Sequence, residues 1–139
     1  MNFQLITLTG TKYSADAYSV QLPTASGEET VLPNHEPLMS VLKPGVITVR
    51  RNASDPDHAL EHYATYGGVV EVMGNEVKVL VDEADDEVNE AEAEKARTAA
   101  EELLKKASNQ VELEHAQAMV DRQAVRLQVA GLKRRHNRR

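Results

Sequence analysis

The chain has 139 residues, of which 41% are apolar, 4% aromatic and 27% charged, with a formal net charge of −6. It contains no Cys, which excludes a disulfide framework, an iron–sulfur cluster, a thiolate zinc site and a cysteine nucleophile. No apolar run approaches the roughly 18–20 residues that cross a bilayer, and the opening MNFQLITL resembles neither a signal peptide nor a transit peptide, so a soluble chain made where it works is expected.

The first elements read as strands. Residues 3–8 are strand-like and end at Thr9-Gly10; Tyr18, Val20 and Leu22 alternate with Ser19 and Gln21, and Ser26-Gly27 follows as a turn. Pro33-Asn34-His35-Glu36-Pro37 is a loop stiffened by two prolines. Pro44-Gly45 reads as a turn before a strand over 46–50, and the polar, Pro-containing Asn52–His58 as an exposed hairpin loop. Leu60, His62, Ala64 and Tyr66 alternate with Glu61, Tyr63 and Thr65, then Gly67-Gly68 reads as another turn. Gly74-Asn75 precedes a last strand in which Val77, Val79 and Val81 alternate with Glu76, Lys78 and Leu80. Many short strands with regular turns predict an antiparallel all-β sandwich or barrel.

The grammar then changes. All five Pro precede residue 57 and six of the seven Gly precede residue 75, so the remainder is free to be helical. After the acidic run Asp82-Glu83 and Asp85-Asp86-Glu87, residues Asn89–Ala107 are mostly strong helix formers, acids leading and Lys105-Lys106 closing. Val88, Ala91, Ala96, Ala99, Ala100, Leu103 and Ala107 form its apolar stripe, broken by Glu92. Ser108-Asn109 ends it. A second helix is predicted over Val111–Lys133, with Leu113, Ala116, Val120, Ala124 and Leu127 near one face. The short break makes an antiparallel αα-hairpin. The predicted organisation is a β-sandwich over 1–86 and a two-helix domain over 87–139. The facing residues are mostly Ala, which removes little apolar area from water, so reversible docking and a permanently folded prop both stand as readings.

Charge divides along the same line. Residues 1–86 carry 5 basic and 13 acidic side chains, whereas 87–139 carry 11 and 9. From Arg122 onward the charges are Arg122, Arg126, Lys133, Arg134, Arg135, Arg138 and Arg139, without an acid. That end suits an acidic partner, or is a solvated helix terminus. A nucleic-acid role is disfavoured by the acidic first half and by the lack of any aromatic residue beyond Tyr66.

Chemistry-bearing motifs are missing. There is no phosphate-cradling GxxxxGK[ST] or GxGxxG and no HExxH spacing. His58 and His62 are four apart but lie at a loop edge and in a strand, where an exposed role is expected. The acidic run lacks calcium-loop spacing and reads as a solvated linker. His35 lies without an evident nucleophile or acid–base partner, so its loop reads as a contact surface. The expectation is a binding or coupling protein rather than an enzyme, without metal or cofactor.

A spaced series of motifs resembles the epsilon subunit of F-type (proton-translocating) ATP synthase. Along nearly the whole chain it comprises Leu5–Gly10, Val20-Gln21-Leu22-Pro23, Ser26-Gly27-Glu28, Val31-Leu32-Pro33-Asn34-His35-Glu36-Pro37-Leu38, Leu42-Lys43-Pro44-Gly45-Val46-Ile47, Gly67–Val72, and Val77–Ala84 before the Ala-rich hairpin. Thr30 replaces the Gly that leads the family's Pro-flanked loop. The resemblance implies a sandwich held on the foot of a gamma subunit and seated on a c-ring, coupling proton flow to ATP synthesis without catalytic residues. It implies c-ring or gamma contacts at Ser26, Gly27, Glu28 and His35, and alpha- and beta-subunit contacts in the catalytic head at Ser108, Arg122, Arg126, Lys133 and Arg134, where the hairpin would inhibit ATP hydrolysis. A peripheral place is implied on the cytoplasmic face of a bacterial cell membrane, the plastid thylakoid being the alternative, with no insertion into the bilayer. Family members that bind ATP carry Ile/Leu-Asp-x-x-Arg-Ala at the first helix; here the stretch is Val88-Asn89-Glu90-Ala91-Glu92-Ala93. Asn89 stands for the Asp and Glu92 for the Arg, adding repulsion where a phosphate needs attraction, so weak or no ATP binding is expected. From another class, the residues also allow a free-standing sandwich module whose basic helix grips an acidic partner.

Overall fold

A computed structural model describes residues 1–137, with side chains as far as Arg135. The strands are β1 (Asn2–Thr7), β2 (Gly10–Asp16), β3 (Ser19–Thr24), β4 (Gly27–Val31), β5 (Leu38–Arg50), β6 (Glu61–Met73), β7 (Glu76–Val81) and β8 (Ala84–Asp85). Two helices follow, α1 (Glu90–Lys106) and α2 (Gln110–Asn137). The sheet order is β2-β1-β7-β6-β5-β3-β4, with β8 paired to the start of β6. Phe3 and Leu5 of β1, Val20 and Leu22 of β3, and Val77 and Val79 of β7 belong to one buried cluster. Strands from both ends of the path therefore enclose a single core, as a β-sandwich requires. Each fully buried Phe, Leu or Ile there contributes about 1.5–3 kcal/mol.

Three details differ from the sequence expectation. First, β1 and β7 pair in parallel, so the sheet is not wholly antiparallel. Second, β5 and β6 are long, 13 residues each. Third, the breakers Pro44-Gly45 and Gly67-Gly68 stand inside them instead of ending them. They face each other across the pair, with Pro44 opposite Tyr66 and Leu42 opposite Gly68. The side-chain alternation changes phase at this point on both strands. Ile47, Val49 and Tyr63 face the core on one side of it; Leu42, Val70 and Val72 do so on the other. The breakers thus make the corner at which the long hairpin passes from one layer to the other.

Two glycines make the corner possible. A Cβ on Gly45 would lie 2.6 Å from Cβ of Pro23, and one on Gly68, at φ +155°, would lie 2.2 Å from the backbone oxygen of Leu80. The strands approach closely only because neither position carries a side chain.

The segment between β5 and β6 is an exposed loop with a 3₁₀ turn over Asp57–Ala59. At the linker, Asn89 caps α1 by accepting a hydrogen bond from the Glu92 amide at 3.1 Å, and acids occupy the first turn. α1 meets the rest of the chain mainly through α2. Ala93 and Ala100 are buried in α1 and Ala116 and Ala130 in α2, so the hairpin is Ala-lined. The stripe is rotated from its expected position, since Ala91 and Ala99 are exposed and Ala93 is buried.

The other side of α2 lies across the sandwich. Val125 and Val129 pack with Val46 of β5 and Ala64 of β6, flanked by Tyr66, Val88 and Leu132. Spacings of four and three put Val125, Val129 and Leu132 on one helix face. This seam covers the outer face of the sheet only on one side of the corner.

Candidate functional site

At the junction of linker, sheet and helix, Glu83 and, in β8, Asp85 present two acids to α2. Arg122 forms an ion pair with Glu83, and its guanidinium stacks over the Tyr66 ring, 4.1 Å from the centroid. The Tyr66 hydroxyl donates to Asp85 at 2.5 Å. Arg126 lies 3.9 Å from the same Asp85 carboxylate. Farther along, Arg134 pairs with Glu90 at the start of α1, which ties the hairpin's two open ends together. Burial, then the bond to Asp85, pushes the Tyr66 hydroxyl well above its usual value. Burial, the largest single influence, would lower the Arg122 pKa, but the bond to Glu83 and the charges of Glu83, Tyr66 and Asp85 together outweigh it and the pKa is raised. The phenol stays protonated to donate and the guanidinium stays charged to pair.

Beyond the corner the outer face of the sheet is bare. Val41, Val69 and Leu80 line up across β5, β6 and β7. Met39 is 76% exposed, Val41 60% and Met73 61%. A shallow groove of about 290 Å³ runs between Met39, Val41, Val69, Glu71 and Leu80. An apolar stretch of this kind marks an interaction surface.

A polar cleft of about 440 Å³ lies at the other end of β6, lined by Tyr13, His58, Glu61, Tyr63, Asp86 and Lys133. Arg51 donates to the Tyr13 hydroxyl at 2.8 Å and pairs with Glu61 at 3.0 Å. Tyr63 donates to Glu61 at 3.2 Å. Burial raises both phenols, with Glu61 adding to Tyr63 and Arg51 opposing the shift at Tyr13. Among the described residues, no group of three or more His, Asp or Glu is placed to hold a metal ion, and no helix is long and apolar enough to cross a membrane.

Family models match in two pieces that together span most of the chain. Residues 1–87 match the β-sandwich domain of the ATP synthase delta/epsilon chain, and residues 86–131 match its long alpha-helix domain. The chain is 36% identical over 137 residues to the ATP synthase epsilon chain of Herpetosiphon aurantiacus, covering 96% of each. The chain belongs to the ATP synthase epsilon-chain family.

Solved structures agree on the fold. A chain of the Euglena gracilis mitochondrial ATP synthase, solved as an OSCP/F1/c-ring assembly, superposes with TM-score 0.78 at 19% identity, covering 94% of this chain and 79% of that one. A chain of the Tetrahymena thermophila mitochondrial ATP synthase central stalk and c-ring gives 0.65 at 16%, covering 92% and 94%.

Within this epsilon-chain fold the candidate contacts fall into two groups. Ser26 lies in the β3–β4 turn and Gly27 and Glu28 open β4, where Thr24 Oγ1 donates to the Gly27 carbonyl at 2.6 Å. The Ala25 amide donates to the carbonyl of Val41 at 2.9 Å, so the turn adjoins the bare apolar face. His35, half-buried in the loop leading to Met39, has Nδ1 2.7 Å from the Glu36 carbonyl oxygen. Of the second group, Arg122 and Arg126 are brought together against the linker. Arg134 lies at the hairpin base, Lys133 in the polar cleft, and Ser108 apart at the hairpin tip. There the Ser108 amide and hydroxyl both donate to Glu112, at 2.9 and 3.0 Å, and these bonds lower the Glu112 carboxyl. Arg138 and Arg139 lie outside the described residues.

Sequence reasoning missed several participants. Tyr66, Glu83 and Asp85 read in the sequence as a strand residue and two linker acids, and their only signal there is a charge opposite to that of the distant basic helix. Val125 and Val129 went unremarked beside the Ala stripe. His62, expected to be exposed, is 6% exposed, with Nδ1 3.0 Å from Thr48 Oγ1.

Proposed function

We propose that this chain is the non-catalytic epsilon subunit of the ATP synthase central stalk, coupling proton flow through the c-ring to ATP synthesis in the catalytic head. The observation that carries the reading is the end-to-end match to an epsilon chain, with both domains present in the family's order. The bare face around Val41, Val69 and Leu80 suits an apolar partner surface, which in this reading the gamma subunit supplies. The Ser26-Gly27-Glu28 turn beside it suits the polar loops of the c-ring, where an acid gives orientation more than affinity. The His35 loop completes that edge. The subunit is held peripherally on the cytoplasmic face of the bacterial cell membrane through these contacts.

The hairpin is the regulatory part. Ser108 and the basic series Arg122, Arg126, Lys133 and Arg134 are the candidate contacts for alpha and beta subunits when the helices leave the sandwich, and that contact restrains ATP hydrolysis. In the docked arrangement Arg122, Arg126 and Arg134 already have acids of their own chain beside them, which disfavours a free-standing module that grips partners through a permanently open basic helix.

The hairpin works without nucleotide in this reading. Asn89 uses its side-chain oxygen to cap α1, and Glu92 sets a negative charge where ATP-binding relatives place an Arg. Isothermal titration of the full chain with ATP is expected to give no heat of binding; micromolar affinity would overturn this point.

Affinity capture tests the assembly reading. The tagged full chain is expected to recover a gamma homologue from detergent extracts of its source membranes. Val41→Asp with Val69→Asp, both at exposed positions, should reduce that recovery roughly tenfold or more. Recovery of no rotor subunit by the unaltered chain would refute the reading, and undiminished recovery by the variant would refute the surface.

A further inference from the structure

The bare face of the sandwich is not wholly apolar. Strand register lays its side chains out in rows that run across the strands. One row is Val41, Val69, Leu80 and Ile6, on β5, β6, β7 and β1 in turn. The next is Met39, Glu71, Lys78 and Gln4 on the same four strands. Glu71 and Lys78 are thus direct cross-strand neighbours, with Cβ atoms about 5 Å apart. That is close enough for their side chains to meet, yet neither forms an ion pair with any described residue. Glu71 is half-buried and lines the groove with Met39, Val41, Val69 and Leu80; Lys78 is exposed beside it. A partner that covers the apolar row would strip water from both charges. An ion that loses its water without gaining an opposite charge strongly disfavours the contact.

We propose that Glu71 and Lys78 determine which partner surface this face accepts, and in which orientation. The fitting surface is apolar opposite Val41, Val69 and Leu80. Beside that strip it carries a basic group for Glu71 and an acidic group for Lys78, about 5 Å apart, the spacing of adjacent strands. The apolar row supplies contact area but accepts an apolar strip in either direction. The two charges admit one direction, because a partner turned end for end sets like charges together. The inference rests on the reading that the gamma subunit covers this face, and it adds the charge pattern that the covering surface must show.

Exchanging the two charges tests it, with the tagged full chain used for capture from detergent extracts of its source membranes. Glu71→Lys with Lys78→Glu keeps the composition, the net charge and any attraction between the two side chains, and reverses only what a partner meets. Recovery of the gamma homologue should fall roughly tenfold or more. Glu71→Gln with Lys78→Gln removes attraction without adding repulsion, so recovery should fall less, about threefold. Glu94→Lys with Lys95→Glu makes the same exchange at exposed positions of α1 and should leave recovery unchanged. Urea midpoints of all three variants should match that of the unaltered chain. Undiminished recovery by the Glu71–Lys78 exchange would show that the two charges serve each other, and would overturn the proposal. Equal loss from the α1 control, or a loss matched by a lowered urea midpoint, would overturn it as well. If Val41→Asp with Val69→Asp abolishes capture while the charge exchange does not, the gamma reading stands and this inference alone fails. Recovery of no rotor subunit by the unaltered chain removes both.

Discussion

An added methyl group would meet very different surroundings at Gly68 and at Gly74. At Gly68 it would strike the Leu80 carbonyl at 2.2 Å, whereas Gly74, at φ +59° in the β6–β7 turn, has open space around it. Gly74→Ala should therefore cost only the left-handed backbone term, about 1 kcal/mol. Gly68→Ala must displace β7 and should cost about 3 kcal/mol or more. Urea unfolding of the two variants checks the difference; equal costs would show that the corner is not held by close strand approach. Neither value could be read from the sequence, where both residues are simply turn-formers. Asn89 shows the opposite case: its place before a run of helix formers, with acids following, marked a helix start, and its side chain performs the capping.

At the scale of elements, the helices were the most legible part. The predicted helix over Asn89–Ala107 and the observed α1 over Glu90–Lys106 differ by a residue at each end. The strands were legible in their alternation but not in their ends. A Pro-Gly or Gly-Gly pair breaks a strand in isolation. In the sheet, each lies opposite the other, and the two long strands bend together while keeping their register. The phase of the apolar alternation held the missing clue, since Tyr63 and Val70 can both face one core only if the chain turns over between them. The helix α2 was misread for a related reason. A helix with two partners has two buried faces, and following the Ala stripe hid the Val125–Val129–Leu132 seam. His62 was misplaced for the same reason, because the helix covering β6 buries both of its faces there. What covers a strand is a tertiary fact that strand periodicity does not contain.

On the scale of the molecule, the charge asymmetry acquires a geometry. The acids that close the sandwich were expected to face solvent, and the arginines of the last helix to face either a partner or solvent. Instead they meet across the domain junction, at Glu83 with Arg122 and Asp85 with Arg126. The resemblance in the sequence led to the right family, and the structure adds how the hairpin is held against the sandwich. The bare apolar face and the basic helix sit on separate parts of the molecule. The central claim is mechanical coupling, and its direct measurement is ATP-driven proton pumping by inverted membrane vesicles stripped of this chain and then restored with it. Protons pumped per ATP hydrolysed should fall on removal and recover on adding the purified chain back. An unchanged ratio in the stripped vesicles would contradict the account.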